Sequence, residues 1–304
     1  MKELESKKGL SINWFGGEPL LKTELLKKLS LKFMEMCNKK NCTYKASITT
    51  NGYLLSSKNI TLLKEINVDD IQVTLDGPPD IHNLRRPLAN GAGTFETILN
   101  NLNKAAGEFK TIRVRVNVDK KTIERVDELL EILEPLKEVI YIGFYPVSFP
   151  GGCYDETNCL KGREFSGLNL ALLQKAYERG FRIVSGFVST GLVYCGAYQL
   201  DTLIVSPDGN IYKCVVDIGK EERKIGYLGE NGIEYIYPKM LPWAAYEPFD
   251  EEECRNCKVL PACMGGCLKF LESEDNESKE KRCAFKREVI ARFLLSSMVI
   301  NNEE

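Results

Sequence analysis

Seven cysteines between residues 195 and 283 constrain the fold more than any other feature. They follow the pattern Cys195-x13-Gly209-x4-Cys214, Cys254-x2-Cys257-x5-Cys263-x3-Cys267 and Cys283. Soft thiolates at short, regular intervals are typical ligands of iron–sulfur clusters. Seven thiolates exceed one four-ligand site and nearly fill two. Structural zinc and disulfides are the alternatives. The single histidine, His82, disfavours a mixed Cys/His zinc site.

Composition narrows the class of protein. A length of 304 residues predicts one large domain or two ordinary ones, at roughly 150 residues each. A net charge of −2 gives no broad attraction to nucleic acid. The sequence has no apolar run of membrane-spanning length and no apolar core of a secretory signal at its start. We therefore expect a cytoplasmic protein without nucleic-acid or membrane partners, in which clustered cysteines are more often metal ligands than disulfides.

The first half alternates short strands with amphipathic helices, which predicts parallel strands joined by right-handed crossovers. The predicted strands are 10–15, 43–50, 70–75, 111–118 and 139–145. The predicted helices are 20–37, 57–66, 94–107, 121–135 and 165–179.

The predicted strands have one polar and one apolar face, whereas buried parallel strands are usually apolar on both. In the fourth strand, for example, Arg113, Arg115 and Asn117 alternate with valines. If the apolar faces meet the helices, the polar faces line the inside of a curved sheet. A hydrated cavity for a polar ligand or a solvent-exposed face would each explain this pattern.

The pattern changes near Cys153, where Gly, Pro and Cys become frequent and the strand–helix alternation stops. Residues 201–214 predict a β-hairpin with Asp208-Gly209 in its turn. Residues 284–300 predict a helix. We therefore predict two domains, an α/β domain over 1–185 and a small cysteine-rich domain over 186–304.

Glycine and polar motifs follow three of the predicted strands. They are Gly16-Gly17-Glu18-Pro19, Thr50-Asn51-Gly52-Tyr53 and Thr74-Leu75-Asp76-Gly77-Pro78. The carboxyl ends of parallel strands are where barrel active sites form. A glycine turn with proline at a helix start explains the first motif alone, but three such motifs at one edge indicate a ligand site.

Together these motifs resemble the radical S-adenosylmethionine barrel over residues 9–146, and the cysteine array resembles the SPASM domain over 195–283. The resemblance implies an α/β fold, a partial (β/α)6 barrel followed by a SPASM domain. It assigns S-adenosylmethionine binding to a set of residues on the first four strands and their loops: Gly16, Gly17, Glu18, Thr74 and Asp76, with Arg115 and Asn117 as weaker candidates. Arg85 and Arg86 are candidates for a carboxylate or for a solvated surface. His82 is expected to be structural or exposed rather than catalytic.

The same resemblance assigns the cysteines to two auxiliary 4Fe–4S clusters. One takes Cys195, Cys214 and Cys267. The other takes Cys254, Cys257, Cys263 and Cys283. The first has three ligands, so Cys153 or Cys159 supplies the fourth, or an open iron site binds a substrate thiolate.

The catalytic-cluster signature of the family, Cys-x3-Cys-x2-Cys, does not occur in the 304 residues. The pair Cys37-x4-Cys42 lies at a helix end on the opposite barrel face and is expected to be structural. We expect the first strand, cluster loop and first helix to be absent, which leaves the S-adenosylmethionine site incomplete. An internal start at Met1, a truncated gene or a second polypeptide would each explain this.

The resemblance implies reductive cleavage of S-adenosylmethionine and hydrogen abstraction by a 5′-deoxyadenosyl radical. The expected substrate is a peptide or small protein, and the electron donor is one such as flavodoxin or ferredoxin. Our first prediction is a maturase that forms thioether or other crosslinks in a ribosomally synthesised peptide. Formylglycine formation of the anaerobic sulfatase-maturase type, a non-catalytic iron–sulfur or peptide-binding chain, and a zinc scaffold are the alternatives.

Overall fold

The computed structural model describes residues 8–147, 158–160, 162–184, 195–258, 260 and 264–267. The chain divides into two compact units. The first unit comprises Met1–Lys161 and Leu168–Val184, and the second comprises Gly162–Gly167 and Ser185–Glu304.

The first unit is an α/β structure in which helices separate six parallel strands. The strands are β1 (Gly9–Trp14), β2 (Thr43–Thr50), β3 (Val68–Thr74), β4 (Thr111–Val118), β5 (Ile140–Pro146) and β6 (Arg182–Ile183). The helices are α1 (Thr23–Lys40), α2 (Ser57–Glu65), α3 (Pro79–Arg85), α4 (Phe95–Ala105), α5 (Lys120–Glu124), α6 (Val126–Leu133) and, from Leu168 onward, α7 (Gly162–Glu178). The strands lie in sequence order across the sheet, and each described pair is parallel.

The predicted strand faces are confirmed most clearly in β4. Its alternate residues Ile112, Val114, Val116 and Val118 are buried, and the polar residues between them are partly exposed. A strand exposes successive side chains on opposite faces, so one face of β4 packs into the core while the other carries arginine and asparagine. The polar face therefore remains available to a ligand or solvent.

The five predicted strands are confirmed within two residues, but the short strand β6 was not predicted. Two residues carry no alternating pattern, so the pairing of Arg182 with Tyr141 had no sequence signal. The predicted helix 121–135 is also divided, because Arg125 leaves helical geometry between α5 and α6.

Helix α1 begins three residues later than predicted, after a 3-10 turn over Pro19–Lys22. It ends in a Schellman motif, in which left-handed Asn41 allows the Cys42 amide to donate to the Cys37 carbonyl at 3.0 Å.

Leu21 and Leu25 are exposed, by 69% and 52%. Within the described residues, the outer edge of neighbouring β1 pairs with no further strand.

The second unit contains a four-stranded antiparallel sheet with the order β10-β9-β8-β7. Its elements are β7 (Ile204–Val205), β8 (Asn210–Tyr212), β9 (Gly226–Gly229), β10 (Gly232–Tyr235), α8 (Tyr237–Ala244) and α9 (Glu252–Arg255). β7 and β8 confirm the predicted hairpin, with Gly209 in a left-handed conformation in its turn. The predicted helix 284–300 lies outside the described residues. No helix among those described is long and apolar enough to cross a bilayer.

Candidate functional site

The loop after β1 leaves open space beside its two glycines. Gly16 has a φ of 147°, a conformation that favours glycine. A Cβ atom built on Gly16 or Gly17 would meet no atom within 4 Å. By contrast, one built on Gly52 would lie 2.6 Å from Val73 Cγ1. Gly52 is therefore required by packing, whereas Gly16 and Gly17 leave room for a ligand to approach the backbone.

The carboxylate of Glu18 joins this loop to the end of β2. Its Oε1 accepts hydrogen bonds from Leu20 N at 3.1 Å and from Thr50 Oγ1 at 2.7 Å. Its Oε2 accepts from Asn51 N at 2.8 Å. A carboxylate has about four acceptor positions, so three protein donors leave one position on Oε2. The sequence motifs at Glu18 and Thr50-Asn51 thus meet, as predicted for neighbouring parallel strands.

A second polar cluster lies where β3 and β4 end. The buried Asp76 accepts from Asn117 Nδ2 at 2.8 Å through Oδ1 and from Arg86 Nε at 2.6 Å through Oδ2. Arg115 Nε donates to Asn117 Oδ1 at 2.9 Å, and its guanidinium lies 4.0 Å from the centre of the Tyr145 ring. Three of the predicted site residues therefore form one connected network.

A closed ring of hydrogen bonds shapes the loop after β3. Asp76 N donates to His82 Nδ1 at 3.1 Å, and His82 Nε2 lies 3.1 Å from Thr94 Oγ1. Thr94 Oγ1 donates to the Arg86 carbonyl at 2.7 Å. Arg86 Nε then donates to the Asp76 carboxylate, which closes the ring. Because the Thr94 proton is used on Arg86, Thr94 accepts from His82, whose proton is therefore on Nε2.

His82 is structural, and the predicted alternative of an exposed side chain is wrong. Its side chain is fully buried, and burial lowers its pKa to about 4, against a smaller raising effect of Asp76. The ring is consequently neutral at pH 7, as its two hydrogen bonds require.

Both arginines of the Arg85-Arg86 pair bind carboxylates of this chain. Arg85 forms a buried ion pair with Asp119 and donates to the carbonyls of Asp76 and Asn117, each at 3.0 Å. Burial alone would raise the pKa of Asp119, but hydrogen bonds from Thr122 and Arg85 hold it below its ordinary value. A solvated surface role for Arg85 was thus a wrong alternative, since its side chain is 6% exposed.

The pair Cys37 and Cys42 belongs to the end of α1. Cys37 is buried, and burial together with Cys42 raises the pKa of its thiol to about 11. A protonated thiol is a poor metal ligand, which supports a structural role for this pair.

The second unit presents five of the seven array cysteines among its described residues: Cys195, Cys214, Cys254, Cys257 and Cys267. Cys263 and Cys283 lie outside the described residues, as does Cys153. Cys257 N donates to the Cys254 carbonyl at 2.9 Å, so this pair shares one turn. No three potential metal ligands among the described residues converge on a single ion site. In a 4Fe–4S cluster each thiolate binds a different iron, so the ligands of such a cluster need not converge on one point.

Comparison with known proteins gives the family context. Residues 1–133 match the model of the Radical SAM superfamily. The match supports a radical SAM superfamily domain over this part of the chain. It is 26% identical over 289 residues to the cysteine-type anaerobic sulfatase-maturating enzyme of Clostridium perfringens (strain ATCC 13124), covering 87% of this chain and 75% of the relative. It is 24% identical over 286 residues to the serine-type enzyme of Klebsiella aerogenes, covering 86% and 67%.

A solved structure has the same fold. The structure described as native anSMEcpe with bound AdoMet and Kp18Cys peptide matches with a TM-score of 0.70 and 21% identity, over 98% of this chain and 88% of that one. The six-stranded parallel sheet is consistent with the barrel-like fold of radical SAM proteins.

Sequence reasoning missed several residues that shape the site. Asn101 Nδ2 donates to the carbonyls of Gly52 and Tyr53, at 3.0 and 2.9 Å, and fixes the loop after β2. Asp119 and Tyr145 support the cluster at β3 and β4. Asp119 could have been found as a helix cap, because it precedes Lys120–Glu124 and accepts from Thr122 N. The contacts of Asp119 with Arg85 and of Tyr145 with Arg115 join residues that lie far apart in the sequence, so no local pattern indicated them.

Proposed function

We propose that this chain is part of an S-adenosylmethionine-dependent radical enzyme that modifies a side chain of a peptide or protein. The observation that carries the proposal is the Glu18 carboxylate beside the open loop Gly16-Gly17, within a radical SAM superfamily domain.

The residues present fit the methionine end of the cofactor. Glu18 is held in place by three protein donors and keeps one acceptor position for an ammonium group. The space beside Gly16 and Gly17 would admit this group against the backbone. When bound to a reduced cluster, S-adenosylmethionine supplies a radical that abstracts hydrogen. In the proposal, this chain's residues bind the cofactor and orient it.

The network at β3 and β4 has a supporting part in the proposal. Asp76 and Asn117 are hydrogen-bonded to each other, so their contribution would be a fixed polar wall beside the cofactor. Thr74 lies opposite Arg115 in the register of β3 and β4, at the same edge of the sheet. We propose these four residues for the ribose and carboxylate of S-adenosylmethionine.

The second unit would hold two auxiliary 4Fe–4S clusters. The assignment of Cys195, Cys214 and Cys267 to one, and of Cys254, Cys257, Cys263 and Cys283 to the other, is unchanged from the sequence. Thiolates suit iron–sulfur chemistry, and the alternatives for the fourth ligand of the first cluster remain Cys153, Cys159 or an open site. The clusters would relay electrons or anchor the substrate.

The substrate proposal follows the relatives. The curated relatives include cysteine-type and serine-type anaerobic sulfatase-maturating enzymes, and the solved structure holds a peptide. We therefore place oxidation of a Cys or Ser side chain first. Thioether or other crosslink formation in a ribosomally synthesised peptide is the second candidate, because a cluster with three assigned ligands would leave an iron free for a substrate thiolate.

Calorimetric titration with S-adenosylmethionine tests the cofactor site. Glu18→Gln should weaken binding at least tenfold, because the neutral amide loses the charge that attracts the ammonium group. Glu24→Gln is the matched control, since Glu24 is an exposed residue of the first turn of α1. Equal affinity of the Glu18→Gln and parent chains would overturn the assignment.

Three further measurements test the remaining parts. Iron and acid-labile sulfide are measured after anaerobic purification, and stoichiometric zinc without sulfide would contradict the clusters.

Because the 304 residues contain no Cys-x3-Cys-x2-Cys, the DNA upstream of Met1 is read for an in-frame copy. Mass spectrometry of a Cys-containing peptide after reaction then distinguishes formylglycine from a thioether crosslink.

A further inference from the structure

Three separate segments of the second unit carry Cys195, Cys214 and Cys267, and side chains next to these cysteines bind the segments to one another. Lys213 precedes Cys214 and reaches the turn that follows Cys195. Tyr198 lies within that turn and reaches the segment that precedes Cys267. The proposed ligands of the first auxiliary cluster are thus connected through protein hydrogen bonds.

Lys213 makes the first connection from a buried position. The residue is 3% exposed, and its Nζ donates to the carbonyls of Gln199 and of Thr202, the latter at 2.8 Å. Both carbonyls lie just after the 3-10 turn Gly196–Tyr198. A lysine next to Cys214 therefore holds the chain that leaves Cys195.

Tyr198 makes the second connection. Its hydroxyl donates to the carbonyl of Gly266, the residue before Cys267, at 2.7 Å. Met264, Gly265 and Gly266 all have left-handed backbones, with φ of 47°, 87° and 82°. Such a run is unusual when it includes a methionine. The hydrogen bond from Tyr198 therefore holds this backbone in one conformation.

The charge of Lys213 is the feature that points to a ligand. Lys213 directly precedes Cys214, and its Nζ is buried against the chain that follows Cys195. A buried cation is stabilised by negative charge placed close to it. An iron–sulfur cluster held by thiolates is anionic and would place negative charge beside this cation.

We propose that Lys213 is a positioning residue for the auxiliary cluster bound by Cys195, Cys214 and Cys267, and that its ammonium group stabilises the reduced form of that cluster. This inference rests on the cluster assignment of the proposed function. One-electron reduction makes a cluster more negative, so a fixed positive charge nearby raises its reduction potential. Tyr198 completes the frame by fixing the segment before Cys267.

Redox titration of the anaerobically reconstituted full chain, followed by electron paramagnetic resonance, tests the inference. Lys213→Met should lower the potential of one cluster by about 59 mV, a tenfold change in a one-electron equilibrium constant. Lys213→Arg should keep it near the parent value. Lys239→Met is the matched control, because Lys239 also donates to a backbone carbonyl, that of Glu221 at 2.9 Å. The change Lys239→Met should leave the reduction potentials of both clusters unchanged.

The outcomes separate this inference from the proposed function. A parent chain without iron and sulfide would refute the clusters themselves. A parent chain with clusters whose potentials are the same in Lys213→Met would overturn only the role of Lys213. If Lys213→Met loses one cluster entirely, recovery of that cluster in Lys213→Arg supports the charged positioning role. Loss in both variants would show a packing role instead and overturn the inference.

Discussion

Thr50 Oγ1 donates to Glu18 Oε1 at 2.7 Å and accepts a hydrogen bond from Gly52 N at 3.1 Å. One hydroxyl group therefore connects the loop after β1 to the loop after β2. The two loops are separated in sequence by the whole of α1 and β2, yet they form one surface because neighbouring parallel strands end at the same edge of the sheet.

Thr50→Val should destabilise the first unit by about 1–3 kcal/mol, because it leaves the buried Gly52 N–H group without an acceptor and removes one of the two donors to Glu18 Oε1. Thr61→Val is the control, since the Thr61 hydroxyl donates to Ser57 O on the exposed face of α2. Urea unfolding followed by circular dichroism measures both. Equal stability of the two variants would contradict the structural importance of the Thr50 contact.

Arg85→Met should be much more destabilising than Arg125→Met. The first change leaves Asp119 buried without its counter-charge and should lower the free energy of unfolding by about 3–5 kcal/mol. The second removes the exposed partner of Asp80 and Glu128 and should lower it far less, because solvent screens exposed ion pairs. Adding Asp119→Asn to Arg85→Met should recover part of the stability, because asparagine keeps the helix cap without the charge. A double variant less stable than Arg85→Met would refute this explanation.

His82 should make stability fall as the pH is lowered from about 6.5 to about 4. Its pKa is about 4 in the folded chain and about 6.5 when unfolded, so the unfolded state binds more protons in this window. The contribution is fully present above pH 6.5 and is lost below pH 4, with an order of magnitude of about 3 kcal/mol. The chain has a single histidine, so its nuclear magnetic resonance titration needs no assignment. A folded-state midpoint near 6.5 would contradict the buried, neutral ring.

Cys254→Ala combined with Cys257→Ala should remove about half of the iron and sulfide of the reconstituted chain, because two clusters are proposed and these two residues are ligands of one. Cys195→Ala with Cys214→Ala should remove the other half. Cys42→Ala is the control outside the array and should change neither value. Loss of all iron in both double variants would indicate a single shared centre.

Much of the first unit could be predicted from sequence because period-two alternation is a local signal. The polar positions of β4 and the motif at Gly16-Gly17-Glu18 needed no knowledge of distant contacts. The pairing of Arg85 with Asp119 could not be predicted, since it depends on how α3 packs beside the end of β4. Similarly, the spacing of the cysteines indicated metal chemistry, but nothing in it identified Lys213 or Tyr198 as the side chains that connect their segments.

The hydrogen-bonded ring of Asp76, His82, Thr94 and Arg86 has a consequence for recognition. Every donor in the ring has its acceptor within the chain, so the loop after β3 obtains its shape during folding. A molecule that arrives at this edge of the sheet would meet a surface already ordered, and the entropy lost in ordering that loop would not weaken its affinity. Selectivity at this edge would then come from the fixed shape of the loop.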